Sequence, residues 1–85
     1  MWISPEEHKV VGEVLAEFRQ SANLRQQDVA ARLGKPQSFV SAYEAGQRRI
    51  DVLELKRIAD AIGAAPQTIF QEIVRRHSAG QSAGP

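Results

Sequence analysis

The segment of residues 36–46, "PQSFVSAYEAG", combines very small side chains with polar ones that both donate and accept hydrogen bonds. Helical spacing brings four of them towards one face: Gln37, Ser38, Ser41 and Ala42. A glutamine amide can pair with N6 and N7 of adenine, a serine hydroxyl can serve a base or a phosphate, and an alanine can approach a thymine methyl group. Such a face has the small size and the hydrogen-bonding groups that contact with base-pair edges would need. The alternative is an exposed polar helix start.

The sequence contains no comparable set of residues for catalysis. His8 and His77 are isolated near opposite ends of the sequence, and there is no cysteine to act as a nucleophile or a metal ligand. No carboxylate pair converges on a predicted cleft, and no glycine-rich phosphate loop is present. We therefore expect no enzymatic activity, no cofactor and no metal. We also expect no small-molecule ligand, because no second domain is available to hold an effector.

The composition is that of one small globular domain. A chain of 85 residues buries only roughly 60% of the surface of its unfolded state, which allows a single core. The lack of cysteine suits a reducing cytosol, and the apolar runs are too short to span a membrane. The N-terminal residues do not resemble a signal peptide. These features predict a cytoplasmic protein, associated with the nucleoid when bound to DNA and not with a membrane.

The charge is unevenly distributed along the chain. Residues 1–17 carry a net charge of −3, residues 18–50 carry +4, and residues 51–85 balance, which leaves +1 in total. The positive third is the part that contains the polar segment. This distribution is a local electrostatic footprint for nucleic acid, which the overall charge alone would not indicate.

Local signals predict five short helices around one core. Their expected ranges are about 5–20, 26–33, 37–45, 52–62 and 66–77. Ser4 and Glu7 form a capping box at the first start, and Asn23 tolerates the positive φ of the break that follows. The domain is predicted to cover residues 1–77. The remaining residues, 78–85, contain no large apolar side chain and are expected to be disordered.

The second and third of these helices are separated only by residues 34–36, a turn that contains Gly34. Two short helices joined in this way make a helix-turn-helix unit. Val40 and Tyr43 are predicted to face the core. Phe39 is ambiguous: it braces the two helices, or it lies against a sugar and a thymine methyl group.

Residues 23–49, "NLRQQDVAARLGKPQSFVSAYEAGQRR", resemble the lambda-repressor-like helix-turn-helix family, also called the xenobiotic response element or Cro/CI-type family. "LKRIADAIG", residues 55–63, is similar to the segment that follows in that family, so the resemblance covers residues 18–63. It implies an all-α, five-helix DNA-binding domain whose third helix enters the major groove. Arg25 stands where the family usually has Ser or Thr, so the second helix loses its best cap.

The resemblance assigns the roles of individual side chains. The base-contacting residues would be Gln37, Ser38, Ser41 and Ala42. The phosphate-contacting residues would be Gln26, Arg25, Lys35, Arg48 and Arg49, with solvated side chains as the alternative. Gln26 would also buttress Gln37. Arg19 and Glu44 occupy positions that the family commonly pairs, which predicts a salt bridge between the first and third helices.

Family members usually dimerise, and the fifth helix is the candidate surface. The residues expected in the interface are Ile69, Phe70, Ile73 and Val74, and the alternative is that all four complete the core. Trp2 and Ile3 lie just before the first helix, and we expect them to cover the edge of this surface or to cross to a partner.

Together these features predict a sequence-specific transcriptional regulator that binds double-stranded DNA. The simplest mode of action is a homodimeric repressor on a palindromic operator. The alternative is an antitoxin or a bridging protein whose main role is to bind another protein, such as a toxin.

Overall fold

The computed structural model describes residues 2–81. This part of the chain forms five α-helices and no strand. They are α1 (Pro5–Ser21), α2 (Gln26–Leu33), α3 (Gln37–Glu44), α4 (Val52–Ile62) and α5 (Pro66–Gln81). α1 packs against α3 and α5, and α4 packs against α2 and α5. The predicted all-α, five-helix fold is confirmed, with α2 and α3 as its helix-turn-helix unit.

The largest error in the predicted helix boundaries concerns the end of the chain. α5 continues to Gln81, so residues 78–81 are helical, and their assignment to a disordered tail is wrong. No proline interrupts this stretch, and the backbone hydrogen bonds of the helix therefore continue through it. Residues 82–85, which the same prediction covered, lie outside the described part of the chain.

Side chains and turns of the predicted types begin and end the other helices. The Ser4 hydroxyl accepts the N–H of Glu7 at 3.0 Å, and the Glu7 carboxylate accepts the N–H of Ser4 at 2.9 Å. Asn23 has a φ of 59° at the predicted break. Arg25 gives α2 no side-chain cap, as predicted, but the Asp28 carboxylate accepts the Arg25 backbone N–H at 2.8 Å. The side chain at the third position of α2, Asp28, thus satisfies a backbone N–H group at the start of the helix.

The core lies between all five helices. Its completely buried side chains include Leu15, Val29, Val40, Tyr43 and Ile69, at 1% exposure or less. The predicted core positions of Val40 and Tyr43 in α3 are therefore confirmed. Because these two residues point inwards, the opposite side of α3 must face solvent.

A close backbone approach at Gly12 sets the position of α3 against α1. A Cβ atom at Gly12 would lie 2.2 Å from the carbonyl oxygen of Tyr43 and 2.7 Å from that of Glu44. Contacts this short do not occur, so only glycine fits between the two helices. α1 thereby supports the C-terminal end of α3 directly.

Ion pairs clamp α5 to α1. Arg76 binds Glu17 of α1 through both terminal nitrogens, one of them at 2.8 Å, and its Nε donates to Glu72 at 2.6 Å. Glu72 also receives two hydrogen bonds from Arg75. Nε2 of His77 lies 3.0 Å from Oε1 of Glu7 at the start of α1.

Because of these ion pairs, the stability of the protein at acid pH depends on the charge of Glu72. Hydrogen bonds from Arg75 and then Arg76 lower the pKa of Glu72 from 4.5 to about 2. A lowered folded-state pKa contributes stability that is complete above the unfolded value and is lost as the pH falls through the folded value. We expect the melting temperature of the wild type to fall more steeply than that of Glu72→Gln between these two pKa values. Parallel melting profiles would contradict this role, and high salt should bring the two profiles together.

Candidate nucleic-acid interface

The turn between α2 and α3 fixes where α3 begins. Gly34 ends α2 with a φ of 68°, a left-handed conformation that glycine adopts without strain. The N–H groups of Gly34 and Lys35 then bond to the carbonyls of Ala31 and Ala30, at 3.2 and 3.0 Å. These bonds satisfy the last carbonyls of α2 and reverse the chain within three residues.

The outward side of α3 carries the predicted polar face. Gln37, Ser38 and Ser41 are exposed, and Ala42 is half-buried beside them. None of these side chains is charged. α3 therefore presents a small, uncharged surface with hydrogen-bonding groups, while Val40 and Tyr43 hold it to the core.

Arg19 and Glu44 lie together at the base of this surface. Nε of Arg19 is 2.7 Å from Oε2 of Glu44, and a terminal nitrogen is 3.1 Å from Oε1. The remaining terminal nitrogen donates to the Leu24 carbonyl at 2.7 Å. The two side chains are only 11% and 7% exposed, and the Glu44 carboxylate raises the pKa of Arg19. This pair joins α1 to the end of α3.

The pair continues outwards through two glutamines. Nε2 of Gln26 donates to Oε1 of Glu44 at 2.9 Å, and Nε2 of Gln37 donates to Oε1 of Gln26 at 3.3 Å. We call the four side chains Arg19, Glu44, Gln26 and Gln37 the polar relay. It leads from a buried cation to the exposed start of α3.

The charge at the inner end of the relay sets the orientation of both amides. A carboxylate only accepts hydrogen bonds, so Gln26 must turn its NH₂ group towards Glu44 and its oxygen towards Gln37. Gln37 must then donate to that oxygen. Its own carbonyl oxygen and its second amide hydrogen are not used by the relay, and an acceptor and a donor of this kind are what adenine N6 and N7 require.

The predicted phosphate-contacting cations lie in different surroundings. Arg25 pairs with Asp28 and lowers the pKa of that carboxyl, and its side chain is largely exposed. Lys35 is exposed in the turn between α2 and α3. A terminal nitrogen of Arg49 donates to the Ile3 carbonyl at 3.2 Å, which draws this side chain towards the start of α1.

Arg48 is the most constrained of these cations. Its guanidinium makes a double hydrogen bond to Glu54 of α4 at 2.8 and 3.2 Å, and these bonds lower the pKa of Glu54. The same group lies 4.6 Å from the centre of the Phe39 ring. A phosphate would have to share Arg48 with Glu54 or displace it.

The structure places the ambiguous Phe39 against Tyr43 of its own helix and against two cations. Its ring meets that of Tyr43 edge-on, with centroids 5.7 Å apart, and Lys35 lies 5.4 Å from its centre. It is half-buried between the core and the two cations Lys35 and Arg48. This arrangement holds both cations beside α3.

Sequence reasoning did not identify two parts of this site. The contact of Gln26 with Glu44 depends on how two helix ends cross, which no local pattern encodes. Glu54 lies at the start of α4, where its carboxylate accepts the Asp51 N–H at 3.0 Å. The six-residue spacing across a turn gave no signal that it also binds Arg48.

The expected interface residues of α5 divide into two pairs. Ile69 is completely buried in the monomer core, so its assignment to a dimer interface is wrong, whereas Ile73, also in the core at 8% exposure, lines the groove described next. They face α1 and α4, whereas Phe70 and Val74 follow one position later on the outer side. Phe70 is 56% exposed and Val74 is 44% exposed.

An apolar groove of about 470 Å³ lies next to Phe70. We call it the α4–α5 groove. It runs between α1, the start of α4 and α5, and its apolar lining includes Val11, Ile50, Val52, Leu55, Pro66 and Phe70. Val52 is 81% exposed at its edge. The groove is on the side of the molecule where α5 turns Phe70 outwards.

Within residues 2–81, no helix is long and apolar enough to cross a bilayer. The same residues contain no cluster of acidic, histidine or cysteine side chains that could hold a metal ion.

Comparisons with known proteins agree on one kind of domain. A family model described as helix-turn-helix matches residues 15–69. An uncharacterized HTH-type transcriptional regulator of Sinorhizobium fredii, y4dJ, is 37% identical over 57 residues, which are 67% of this chain and 74% of that protein. An XRE-family like protein from Pseudomonas syringae superposes with a TM-score of 0.72 at 32% identity, over 94% of this chain and 89% of the other. The restriction-modification controller protein C.AhdI from Aeromonas hydrophila superposes with a TM-score of 0.67 at 27% identity, over 78% of this chain and 98% of the other.

Proposed function

The chain belongs to the Cro/CI-type helix-turn-helix family of DNA-binding transcription regulators, which are not enzymes, and we propose that it is a homodimeric repressor of a two-fold-symmetric operator. α3 enters the major groove, and Gln37, Ser38, Ser41 and Ala42 meet the base edges. By covering a promoter the dimer excludes the polymerase.

The orientation of Gln37 is the observation that carries this proposal. Its amide is held by Gln26 at 3.3 Å with the outer donor and acceptor left over, which suits bidentate pairing with adenine. An exposed glutamine without such support would lose side-chain entropy on binding. The polar relay lowers that cost in advance.

Phosphate contacts position the dimer on the duplex. Gln26 begins α2, where the unpaired N–H groups and the helix dipole favour an anion. Arg25, Lys35, Arg48 and Arg49 supply the positive charge around it. These contacts give affinity that falls with salt, while α3 gives sequence preference.

The homodimer is proposed to form through the outer side of α5, with Phe70 and Val74 as its main apolar contacts. Two copies related by a two-fold axis would place their α3 helices in successive major grooves, about 34 Å apart. One copy touches too few base pairs to select a single site, so dimerisation supplies the specificity that the domain lacks alone.

Selection of binding sites from a random duplex library at near-physiological salt tests the function. We expect enrichment of a site with two-fold symmetry and half-sites about one helical turn apart. Enrichment of a single half-site would contradict the dimer. Binding without sequence preference would leave only phosphate attraction and would favour the protein-binding role of an antitoxin or a bridging module.

Glu54→Gln is expected to tighten DNA binding. The variant keeps an oxygen that can accept the Asp51 N–H, so α4 retains its capping box. It removes the charge that holds Arg48, which frees the guanidinium for a phosphate. We expect the affinity for DNA to rise several-fold. The slope of the logarithm of this affinity against the logarithm of the salt concentration should be steeper by about one.

Titration of the operator at several salt concentrations measures this effect. The control is Glu54→Gln in an Arg48→Ala background, which separates the release of Arg48 from the simple loss of a negative charge. An equal gain in both backgrounds would contradict the proposed role of Arg48.

A further inference from the structure

Trp2 is the most exposed large apolar side chain in residues 2–81, at 90% exposure. The residues that follow it are fixed: Arg49 binds the Ile3 carbonyl at 3.2 Å, and Ser4 is closed into the capping box of α1. An indole held out in water on an anchored arm is unfavourable unless something covers it.

The residue that anchors the arm is next in the sequence to the lining of the α4–α5 groove. Arg49, which holds Ile3, directly precedes Ile50 of the groove lining. The groove volume of about 470 Å³ lies within the range of roughly 300–1,000 Å³ that sites for small organic ligands have, so an indole ring fits it. Each copy therefore carries an apolar groove and an exposed apolar ring, and neighbouring residues line the one and anchor the other.

We propose that Trp2 of each copy inserts into the α4–α5 groove of a second copy, so that two reciprocal arms close the dimer. This inference rests on the homodimer proposed above and names how its apolar surface is covered. Reciprocal insertion under a two-fold axis buries both rings and both grooves, and it leaves no open site for a third copy.

Charge at the groove favours a second copy over another partner. Its lining is nearly neutral: it includes one acid, Asp51, and one base, Lys56, whose Nζ is already paired with Asp60 at 2.9 Å. A strongly acidic or basic peptide would find no matching charge there.

The single tryptophan of the chain reports directly on this contact. Its fluorescence emission and its quenching by acrylamide are measured together with sedimentation velocity, from well below to well above the dimer dissociation constant. We expect the emission of the dimer to lie to the blue of the monomer emission, and its quenching to be several-fold weaker. A dimer whose tryptophan remains fully quenchable overturns the inference, as does a blue-shifted emission that is independent of concentration, which would mean insertion into the chain's own groove.

Two substitutions at neighbouring positions separate the groove from general surface effects. Val52 lines the groove, whereas Leu53, 73% exposed in the same helix turn, does not. We expect Val52→Glu to abolish the blue shift and to weaken dimerisation by about tenfold or more, which is about 1.4 kcal/mol, and Leu53→Glu to change neither. Equal effects of the two variants overturn the inference.

Operator binding distinguishes this inference from the function on which it rests. If symmetric sites are still selected while the tryptophan stays exposed in the dimer, the arm exchange is wrong and the proposed function stands. If the protein neither dimerises nor prefers a sequence, both are wrong.

Discussion

Replacement of Gly12 by alanine is expected to destabilise the protein by about 3 kcal/mol, at the upper end of the usual cost of overpacking. The added Cβ atom would lie 2.2 Å from the Tyr43 carbonyl oxygen and 2.7 Å from that of Glu44. Both obstacles are backbone atoms, so no side chain can rotate away, and α1 and α3 must separate. A domain of 85 residues has a free energy of unfolding of about 4 to 13 kcal/mol, so this single methyl group removes much of it.

Urea denaturation measures the effect, and Gly80→Ala is the matched control. Gly80 is also helical, but a Cβ atom there would meet nothing within 4 Å. Alanine should therefore leave the stability unchanged or raise it slightly, because glycine is a poor helix former. Equal unfolding midpoints for Gly12→Ala and the wild type would contradict the close approach of the two helices.

Replacement of Arg19 by methionine is expected to cost about 3 kcal/mol and also to weaken sequence recognition. The change removes the hydrogen bonds to Glu44 and to the Leu24 carbonyl while it preserves most of the apolar stem. Glu44 is then left as a 7% exposed carboxylate without its cation. Breaking one partner of a poorly solvated pair costs far more than the pair itself contributes.

The functional part of this prediction follows from the polar relay. Without Arg19, the Glu44 carboxylate is no longer fixed in position, so that Gln26 and the Gln37 amide that it supports are no longer held in one orientation. The DNA affinity of Arg19→Met should fall at the operator more than at random DNA, when both are compared at a temperature where the variant remains folded.

Arg25→Met is the control for the loss of a cation in the same region. Its pair with Asp28 lies at the surface, where such pairs contribute about 1 kcal/mol or less. We expect a small loss of stability and a uniform loss of DNA affinity. If Arg19→Met were no more damaging than Arg25→Met, the relay would not be a structural element of this protein.

The helices could be predicted largely from the sequence because their starts and ends are local. Ser4 with Glu7 and Asp51 with Glu54 mark two starts, and Gly34 marks an end, each through bonds within a few residues. The end of α5 lacks such a signal. Its last turn continues through Gly80, and the absence of large apolar residues was a poor guide to where the helix stops.

The division of the apolar residues of α5 could not be predicted, for a different reason. Ile69 with Ile73 and Phe70 with Val74 form adjacent stripes, and periodicity alone does not say which of them faces the core. The answer depends on how α5 crosses α1, which is set by packing and by the ion pairs of Arg76. The exposed face of α3 was easier to predict, because Val40 and Tyr43 fix the buried side.

For the site itself, residue types and spacing indicated which side chains take part but not how they are connected. Gln26 and Gln37 could be assigned to one surface from the sequence. The orientation of their amides follows only from the contact of Gln26 with Glu44, 18 residues apart in the chain. The pairing of Arg48 with Glu54 likewise depends on how the chain folds in three dimensions, which no local pattern encodes.

Gln37 is proposed to read one base pair, which is tested most directly by the affinity of the protein for every single-base-pair variant of the selected half-site. The wild type, Gln37→Ala and the exposed control Gln71→Ala are measured side by side at one salt concentration. We predict that the wild type and Gln71→Ala discriminate by about 1–3 kcal/mol at one A·T position, and that Gln37→Ala loses this discrimination there while it retains the other preferences. A Gln37→Ala protein that binds all variants more weakly by the same factor would contradict the claim.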